Sequence, residues 1–251
     1  GSNSHLTIGS DLTIQPNAES SASGFVNYYN PGEIWTGQTS PSTNHLTGVG
    51  YGNGTFVAVG DSGTMHTSLD GTTWTEQTSG TTNTFQDVTY ANDTFVTIGN
   101  SGTILTSLDA VTWTPRTSGT TNTLIGITYA NDTFVTIGNS GTILTSPDGV
   151  TWTPRTSETT NAFSGITYGD GTFVAVGEGG IILTSSDGSA WTPRTSGTTS
   201  FLIGITQANG TFVAVGSAGT LLTSDDGSNW TSRTSGTSID LRGVSYGNNT
   251  F

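Results

Sequence analysis

An all-β fold made of six equal units is predicted by three observations. Tryptophan recurs at Trp35, Trp74, Trp113, Trp152, Trp191 and Trp230, always 39 residues apart, and Phe56, Phe95, Phe134, Phe173, Phe212 and Phe251 keep the same interval. The unit itself consists of short β-type runs punctuated by turn residues, as in Thr94–Trp113, TFVTIGNSGTILTSLDAVTW, which returns nearly unchanged as Thr133–Trp152. Composition agrees: of 251 residues, 31% are hydrophobic, 9% are charged and 36 are glycine, which suits many short strands and leaves no ten-residue amphipathic stretch for a helix. A fixed period of roughly 20–50 residues built this way marks a solenoid, a propeller or an array.

The first unit shows how each element follows from its residues. Leu46–Tyr51 reads as a strand, and Asn53-Gly54 after it favours a two-residue type I′ hairpin, because both residues tolerate positive φ. Thr55–Gly60 is the second strand, and Asp61-Ser62-Gly63 turns the chain into a third, Thr64–Ser68. Asp70-Gly71 then leads to a fourth strand around Trp74. The same turns recur in register at Asn92-Asp93, Asn131-Asp132, Asp170-Gly171, Asn209-Gly210 and Asn248-Asn249, and again at Asp109, Asp148, Asp187 and Asp226. A linear β-solenoid lacks four hairpin-linked strands per coil. Four antiparallel strands per unit and six units therefore predict a six-bladed β-propeller.

Five units occupy residues 45–78, 84–117, 123–156, 162–195 and 201–234. The sixth blade is expected to combine residues 5–39 with 239–251. His5–Asn17, HLTIGSDLTIQPN, aligns with Phe95–Ser107, FVTIGNSGTILTS, in the second and third strands, while Asp240–Phe251 supplies a first strand and its turn. Closing the ring from both ends leaves no exposed sheet edge. This composite blade carries the one long departure from the period, Ala18–Glu33, with Phe25, Tyr28 and Tyr29. Loops on a rigid scaffold are where binding is commonly placed, so these three aromatics are candidate binding residues, with packing over the closure seam as the alternative.

The segment Ser68–Trp74, SLDGTTW, and its copies ending at Trp113, Trp152, Trp191 and Trp230 resemble the Asp-box of the sialidase-like (BNR, Ycf48-like) propellers. The family form, Ser-x-Asp-x-Gly-x-x-Trp, is one residue longer between Asp and Trp, and Ala110 stands for glycine in one copy. The resemblance covers nearly the whole chain. It implies a structural hairpin, in which Asp70, Asp109, Asp148, Asp187 and Asp226 cap turn amides and Trp74, Trp113, Trp152, Trp191 and Trp230 pack between strands and blades. One carboxylate per hairpin is too few for calcium. A sialidase of that superfamily needs a converging arginine cluster. Arg116, Arg155, Arg194 and Arg233 fall instead on outermost strands, about 14 Å from the innermost at ordinary strand spacing, where they and Pro115, Pro154 and Pro193 guard an edge. Only Arg242 falls on an innermost strand.

Five arginines, no lysine and 18 acidic residues give a net charge of −13. Nucleic acid and anionic membrane surfaces are thereby disfavoured as partners, since both need clustered cations, and no apolar run is long enough to be inserted in a bilayer. With no cysteine there is neither a disulfide framework nor thiolate chemistry. His5, His45 and His66 have no partner at metal-ligand spacing, and no cofactor or metal is implied. The Thr/Ser/Asn-rich, lysine-free surface leads us to expect an extracellular, cell-surface or virion-surface protein, seen in mature form because no signal peptide is present. Asn53, Asn92, Asn131, Asn209, Asn229 and Asn248 each begin an Asn-x-Thr sequon; turn chemistry followed by a strand-favouring threonine accounts for five of them without any sugar.

Positions that vary between otherwise equal units are the better site candidates. Thr47 is replaced by Gln86, Ile125, Ser164, Ile203 and Arg242, and Asp87 stands where the other units have glycine. A tyrosine at Tyr51, Tyr90, Tyr129, Tyr168 and Tyr246 gives way to Gln207, and Asp61 and Glu178 replace Asn or Ser. Gln86, Asp87, Glu178 and Arg242 join the three loop aromatics as expected binding residues. The expected function is a non-enzymatic binding or scaffold propeller that meets a glycan or a protein surface. The alternatives are a structural subunit of a fibre formed by self-association and, less favoured, a glycoside hydrolase pairing Asp87 with Glu178 or Asp240.

Overall fold

The computed structural model describes residues 24–25, 37–247 and 249–251. Phe25 is described in its backbone alone, and Tyr28, Tyr29, Trp35, His5 and Asn248 lie outside the described residues. A two-stranded sheet joins β1 (Gly24–Phe25) to β2 (Gln38–Thr39). Five four-stranded antiparallel sheets follow, each meandering in chain order. The first comprises β3 (Leu46–Gly52), β4 (Thr55–Gly60), β5 (Met65–Ser68) and β6 (Thr75–Glu76), and the second β7 (Phe85–Ala91), β8 (Thr94–Gly99), β9 (Ile104–Ser107) and β10 (Thr114–Arg116). The third runs through β11 (Leu124–Ala130), β12 (Thr133–Gly138), β13 (Ile143–Ser146) and β14 (Thr153–Arg155). The fourth holds β15 (Phe163–Gly169), β16 (Thr172–Gly177), β17 (Ile182–Ser185) and β18 (Thr192–Arg194). The fifth ends the set with β19 (Leu202–Ala208), β20 (Thr211–Gly216), β21 (Leu221–Ser224) and β22 (Thr231–Ser232).

The hairpin residues do what their chemistry allows. Asn53 and Gly54 have φ of 47° and 75°, and Asn92 and Asp93 have 48° and 55°, the left-handed pair that a type I′ turn needs. Each second strand is buried on both faces, so TFVTIG and TFVAVG read as continuous rather than alternating apolar runs. Consecutive sheets pack face to face. Val96, Ile98 and Ile104 of the second sheet meet Leu124, Ile127, Phe134 and Leu144 of the third. The same pattern repeats between the third and fourth sheets and between the fourth and fifth. Phe134, Phe173 and Phe212 are fully buried in these interfaces and Phe95 in that between the first and second sheets, each contributing about 1.5–3 kcal/mol of transfer free energy.

The first strands come together along a common axis while the fourth strands lie outermost. A Cβ added to Gly48 would stand 3.0 Å from Asp87 Cα on the next first strand, and one on Gly165 would stand 3.3 Å from Ile203 O. The segment after β22 continues this arrangement. A Cβ on Gly204 would meet Arg242 O at 3.2 Å, Leu241 N–H donates to Gly216 O at 3.0 Å, and Tyr246 packs on Phe251 at 4.9 Å, as Tyr90 packs on Phe95 at 4.6 Å. The described residues thus hold five complete sheets, against six expected from the tryptophans. Among the described residues Leu241–Tyr246 takes a first-strand place without a ladder. A single Gly247–Thr250 bridge follows it among the described residues, and Thr250 and Phe251 stand where a second strand begins.

At the other end of the array, among the described residues, no four-stranded sheet covers the first sheet. Val49 and Tyr51 are 56% and 59% exposed, whereas Val88 and Ile127, at the equivalent place of Val49, are 4% and 7% exposed. His66 pairs with Ala58 in the register that Leu105, Leu144, Leu183 and Leu222 occupy in the other sheets. It is fully buried with neither ring nitrogen hydrogen-bonded, and burial lowers its pKa from 6.5, partly opposed by Glu76. Restoring the repeat with His66→Leu is expected to raise stability by about 1–2 kcal/mol at pH 7 by removing two unsatisfied ring nitrogens. The unfolded chain takes the histidine proton first as pH falls below 6.5, so the wild type loses stability towards acid through this group. Urea titrations at pH 7.5 and 5 check both points: the gap between variant and wild type widens at pH 5.

Candidate functional site

The loudest repeated residues build scaffold. Asp148 Oδ1 accepts the N–H of Val150 at 2.8 Å and of Thr151 at 2.9 Å, and the Ser146 hydroxyl at 3.0 Å. Ser146 Oγ accepts the Gly149 N–H at 2.8 Å, and Trp152 Nε1–H donates to Gly149 O at 2.9 Å. Asp70, Asp109, Asp187 and Asp226 each accept the corresponding two amides. These amides hold the carboxylates below the usual aspartate value, Asp109 at about 2. Asp148→Ala is expected to cost about 1 kcal/mol at pH 7, as for a lost turn or helix cap. A carboxylate with a depressed pKa stabilises above its unfolded value of 3.8 and loses that contribution as pH falls through the folded value. The difference in urea midpoint between wild type and variant therefore shrinks as pH falls below 3.8.

The outer arginines are tied back onto their own sheets. Arg116, Arg155, Arg194 and Arg233 each donate Nε–H at 2.8 Å to the hydroxyls of Thr106, Thr145, Thr184 and Thr223 respectively. The sequon residues hold turns: Asn131 donates to Ser186 O at 3.2 Å and accepts the Tyr168 hydroxyl at 3.0 Å, Asn229 donates to Asp226 Oδ2 at 2.8 Å, and Asn209 bonds Tyr246.

The variable positions gather elsewhere. Every first strand in the five sheets carries a β-bulge between its first and third residues, such as Leu46/Gly48 and Phe85/Asp87. The residue in the bulge is the varying one: Thr47, Gln86, Ile125, Ser164 and Ile203, with Arg242 at the corresponding place in the last segment. A bulge leaves its extra residue outside the ladder and re-aims its side chain. Thr47 Oγ1 lies 2.7 Å from Phe85 O on the next first strand, and Ser164 Oγ bonds Leu202 O in the same way. Gln86 Nε2–H donates to Asn100 Oδ1 at 3.1 Å, and Asn100 opens the turn after the second strand. Those turns, at Asp61, Asn100, Asn139, Glu178 and Ser217, are the other varying set. Bulges and turns share one rim of the array, since each bulge lies beside the end of its own second strand.

Asp87 stands one residue deeper. Its carboxylate accepts the Val88 N–H at 2.8 Å and, across to the third sheet, the Ile127 N–H at 3.2 Å. Desolvation outweighs these two bonds and pushes its pKa up to about 6. Glu178 Oε2 accepts the Ala162 N–H at 3.4 Å, and Asp240 Oδ1 accepts the Ala218 N–H at 3.0 Å. The three carboxylates each accept from a different backbone amide and share no hydrogen-bond partner. Among the described residues no group of three or more His, Cys, Asp or Glu could hold a metal ion. No helix among the described residues is long and apolar enough to cross a membrane.

Two exposed apolar residues on the same rim are not among those expected from the sequence. Phe201 is 40% exposed and Ile239 58%. Phe201 stands where other units place His45, Thr84, Thr123 and Ala162, and Ile239 where they place Asn44, Asn83, Asn122, Asn161 and Ser200; a large apolar side chain at either place is the signal the chain carries for them. An open groove of about 860 Å3 runs from Trp113, Pro115 and Arg116 to the second sheet's rim turn at Ser101 and Gly102, and another of about 540 Å3 lies between the hairpins of Leu69, Asp70, Asp109 and Val111. Neither contains Gln86, Asp87, Glu178 or Arg242.

Four-stranded antiparallel sheets that pack face to face, with first strands gathered along an axis and fourth strands outside, define a β-propeller. No protein-family model matches the chain, and no curated protein matches it. Among solved structures, YCF48 bound to D1 peptide is similar with a TM-score of 0.63 at 21% identity, over 78% of this chain and 68% of that one. YCF48 from Cyanidioschyzon merolae gives 0.68 at 16% identity, over 89% and 83%. A nidogen/laminin complex gives 0.60 at 12% identity, over 80% and 84%. At these identities the likeness speaks for the fold.

Proposed function

We propose that the protein is a non-enzymatic propeller that binds a segment of a partner protein at the rim formed by the bulge residues and the turns after the second strands. The observation that carries this reading is the convergence of the variable positions. Scaffold residues repeat in every unit, while Gln86, Glu178, Ile203 and Arg242, which vary from unit to unit, come to one end of the array. A YCF48 neighbour has a D1 peptide bound, which supports a propeller of this shape as a peptide platform. The working scaffold is a six-bladed ring, with the sixth blade built from residues 5–39 and 239–251 over the face of Val49 and Tyr51. Asn100 and Gln86 are read as rim contacts, and the loop aromatics Phe25, Tyr28 and Tyr29 as contacts of the composite blade.

The test is a selection of displayed random peptides against the purified chain, followed by competition with a variant carrying Gln86→Ala, Glu178→Ala and Ile203→Ala together. Selected peptides lose binding to the triple variant if the rim is the site; undiminished binding overturns it. A glycan ligand is the alternative for the same rim, and a glycan array distinguishes it. A second reading, association between copies, is favoured by Leu69 and Leu108, 80% and 71% exposed at adjacent hairpin tips. Light scattering across concentrations decides it. The surface composition and the sequons support an extracellular, cell-surface or virion-surface setting, for which sugar at Asn53 or Asn92 on native material is the check.

A further inference from the structure

We infer that the junction between the fifth sheet and the last segment takes an extended peptide pairing an apolar side chain with a neighbouring Lys or Arg; this rests on the rim being the binding site. The fifth sheet's turn, Ser217–Gly219, is the centre of the patch. Ser217 N–H donates to Phe201 O at 2.9 Å on one side, and Ala218 N–H donates to Asp240 Oδ1 at 3.0 Å on the other. Phe201 and Ile239 therefore flank one turn, both exposed, with Ala218 exposed between them.

The same junctions elsewhere are polar and closed. Asn44, Asn83 and Asn122 donate to the hydroxyls of Thr64, Thr103 and Thr142 at 2.7–2.9 Å, and Asn161 donates to Glu178 O at 3.1 Å. Ser200 and Ile239 take that asparagine's place in the last two units, so the clamp is gone where the apolar side chains stand out. An isolated exposed apolar residue is ordinary, but two large ones at one turn, where other units carry small or polar residues, form a docking patch.

Charge selects the occupant. The fourth sheet's turn, Glu178–Gly180, packs against β19, which begins one residue after Phe201. Glu178 and Asp240, both exposed, thus border the apolar pair, against the single guanidinium of Arg242. The chain as a whole carries −13. A basic segment is drawn to such a rim and an acidic one repelled.

Two fluorescein-labelled twelve-residue Gly/Ser peptides test this by anisotropy, one with Leu-Lys-Phe-Arg at its centre and one with Leu-Glu-Phe-Asp. The basic peptide is expected to bind about tenfold tighter at low salt, with a gap that narrows as salt rises. Phe201→Thr and Ile239→Asn, which restore residue types the array already tolerates, should each weaken it about fivefold. Glu178→Gln and Asp240→Asn should each weaken it about threefold, and Arg242→Gln should strengthen it by a similar factor. Preference for the acidic peptide, binding of neither, or indifference to Phe201→Thr overturns the inference. In each of these cases peptides selected against the rim still report whether the rim binds at all.

Discussion

Gly141→Ala is expected to destabilise the protein by about 3 kcal/mol or more, whereas Gly119→Ala, only 22 residues earlier, should cost about 1 kcal/mol. Both glycines have positive φ, 68° and 76°, so both substitutions meet the same left-handed strain. They differ in surroundings. A Cβ on Gly141 would fall 2.0 Å from Thr159 O and 2.8 Å from Ser157 Oγ, while one on Gly119 meets nothing within 4 Å. Gly141 cannot step aside, because its N–H donates to Asn161 O at 3.0 Å and its carbonyl accepts the Ser157 hydroxyl at 2.7 Å. These bonds fasten the connection between the third and fourth sheets to the turn beneath it. Alanine therefore displaces the connection and breaks both bonds, adding their cost to the strain. Urea unfolding of the two variants separates conformational strain from collision; equal losses at the two positions would show that contact with the connection is unimportant.

The repeat made the four-stranded antiparallel unit legible because its signals are local. Asn-Gly and Asp-Gly turns act through their own φ, and TFVTIG is too apolar to face water on either side. The bulge was not legible. Whether Gln86 lies in a ladder or outside it depends on how β7 registers against β8, and nothing in FQDVTYA states that. The varying residues at Thr47, Gln86, Ser164 and Arg242 could be read from the chain, but their shared rim required the pairing. Phe201 and Ile239 put large apolar side chains where other units have small or polar ones, a quieter signal in the chain than a changed charge or a lost glycine. The six tryptophans count six units along the chain, yet a unit becomes a four-stranded sheet only where all its strands are placed, and among the described residues that holds for five.

Asp87→Asn is expected to stabilise the protein at pH 7 and to leave it unchanged or weaker at pH 4. The side chain occupies a place that is glycine in every other unit, between the first strands of the second and third sheets. Burial raises its pKa from 3.8 to about 6, so the ionised form is disfavoured in the folded state. A raised carboxylate pKa means that the folded chain holds the proton over a window where the unfolded chain has lost it. Stability attributable to Asp87 is therefore greatest below pH 3.8 and declines as pH rises through 6. The gap between those two values corresponds to about 3 kcal/mol, an upper bound, since Asn also gives up half of the amide acceptance from Val88 and Ile127. A net gain of about 1–2 kcal/mol at pH 7 is expected once those weakened bonds are deducted. Other carboxylates titrate in the acid range, so the informative quantity is the difference between variant and wild type, read from urea midpoints at pH 7.5, 6 and 4.5. A constant difference across these three would mean that the carboxylate does not titrate as its burial requires. Asp87→Gly provides the second comparison: it removes the charge as Asn does, but also the bridge to Ile127, and so should gain less at pH 7 by the worth of that bond. A unit that keeps a destabilising carboxylate where its siblings keep glycine holds something the fold does not need.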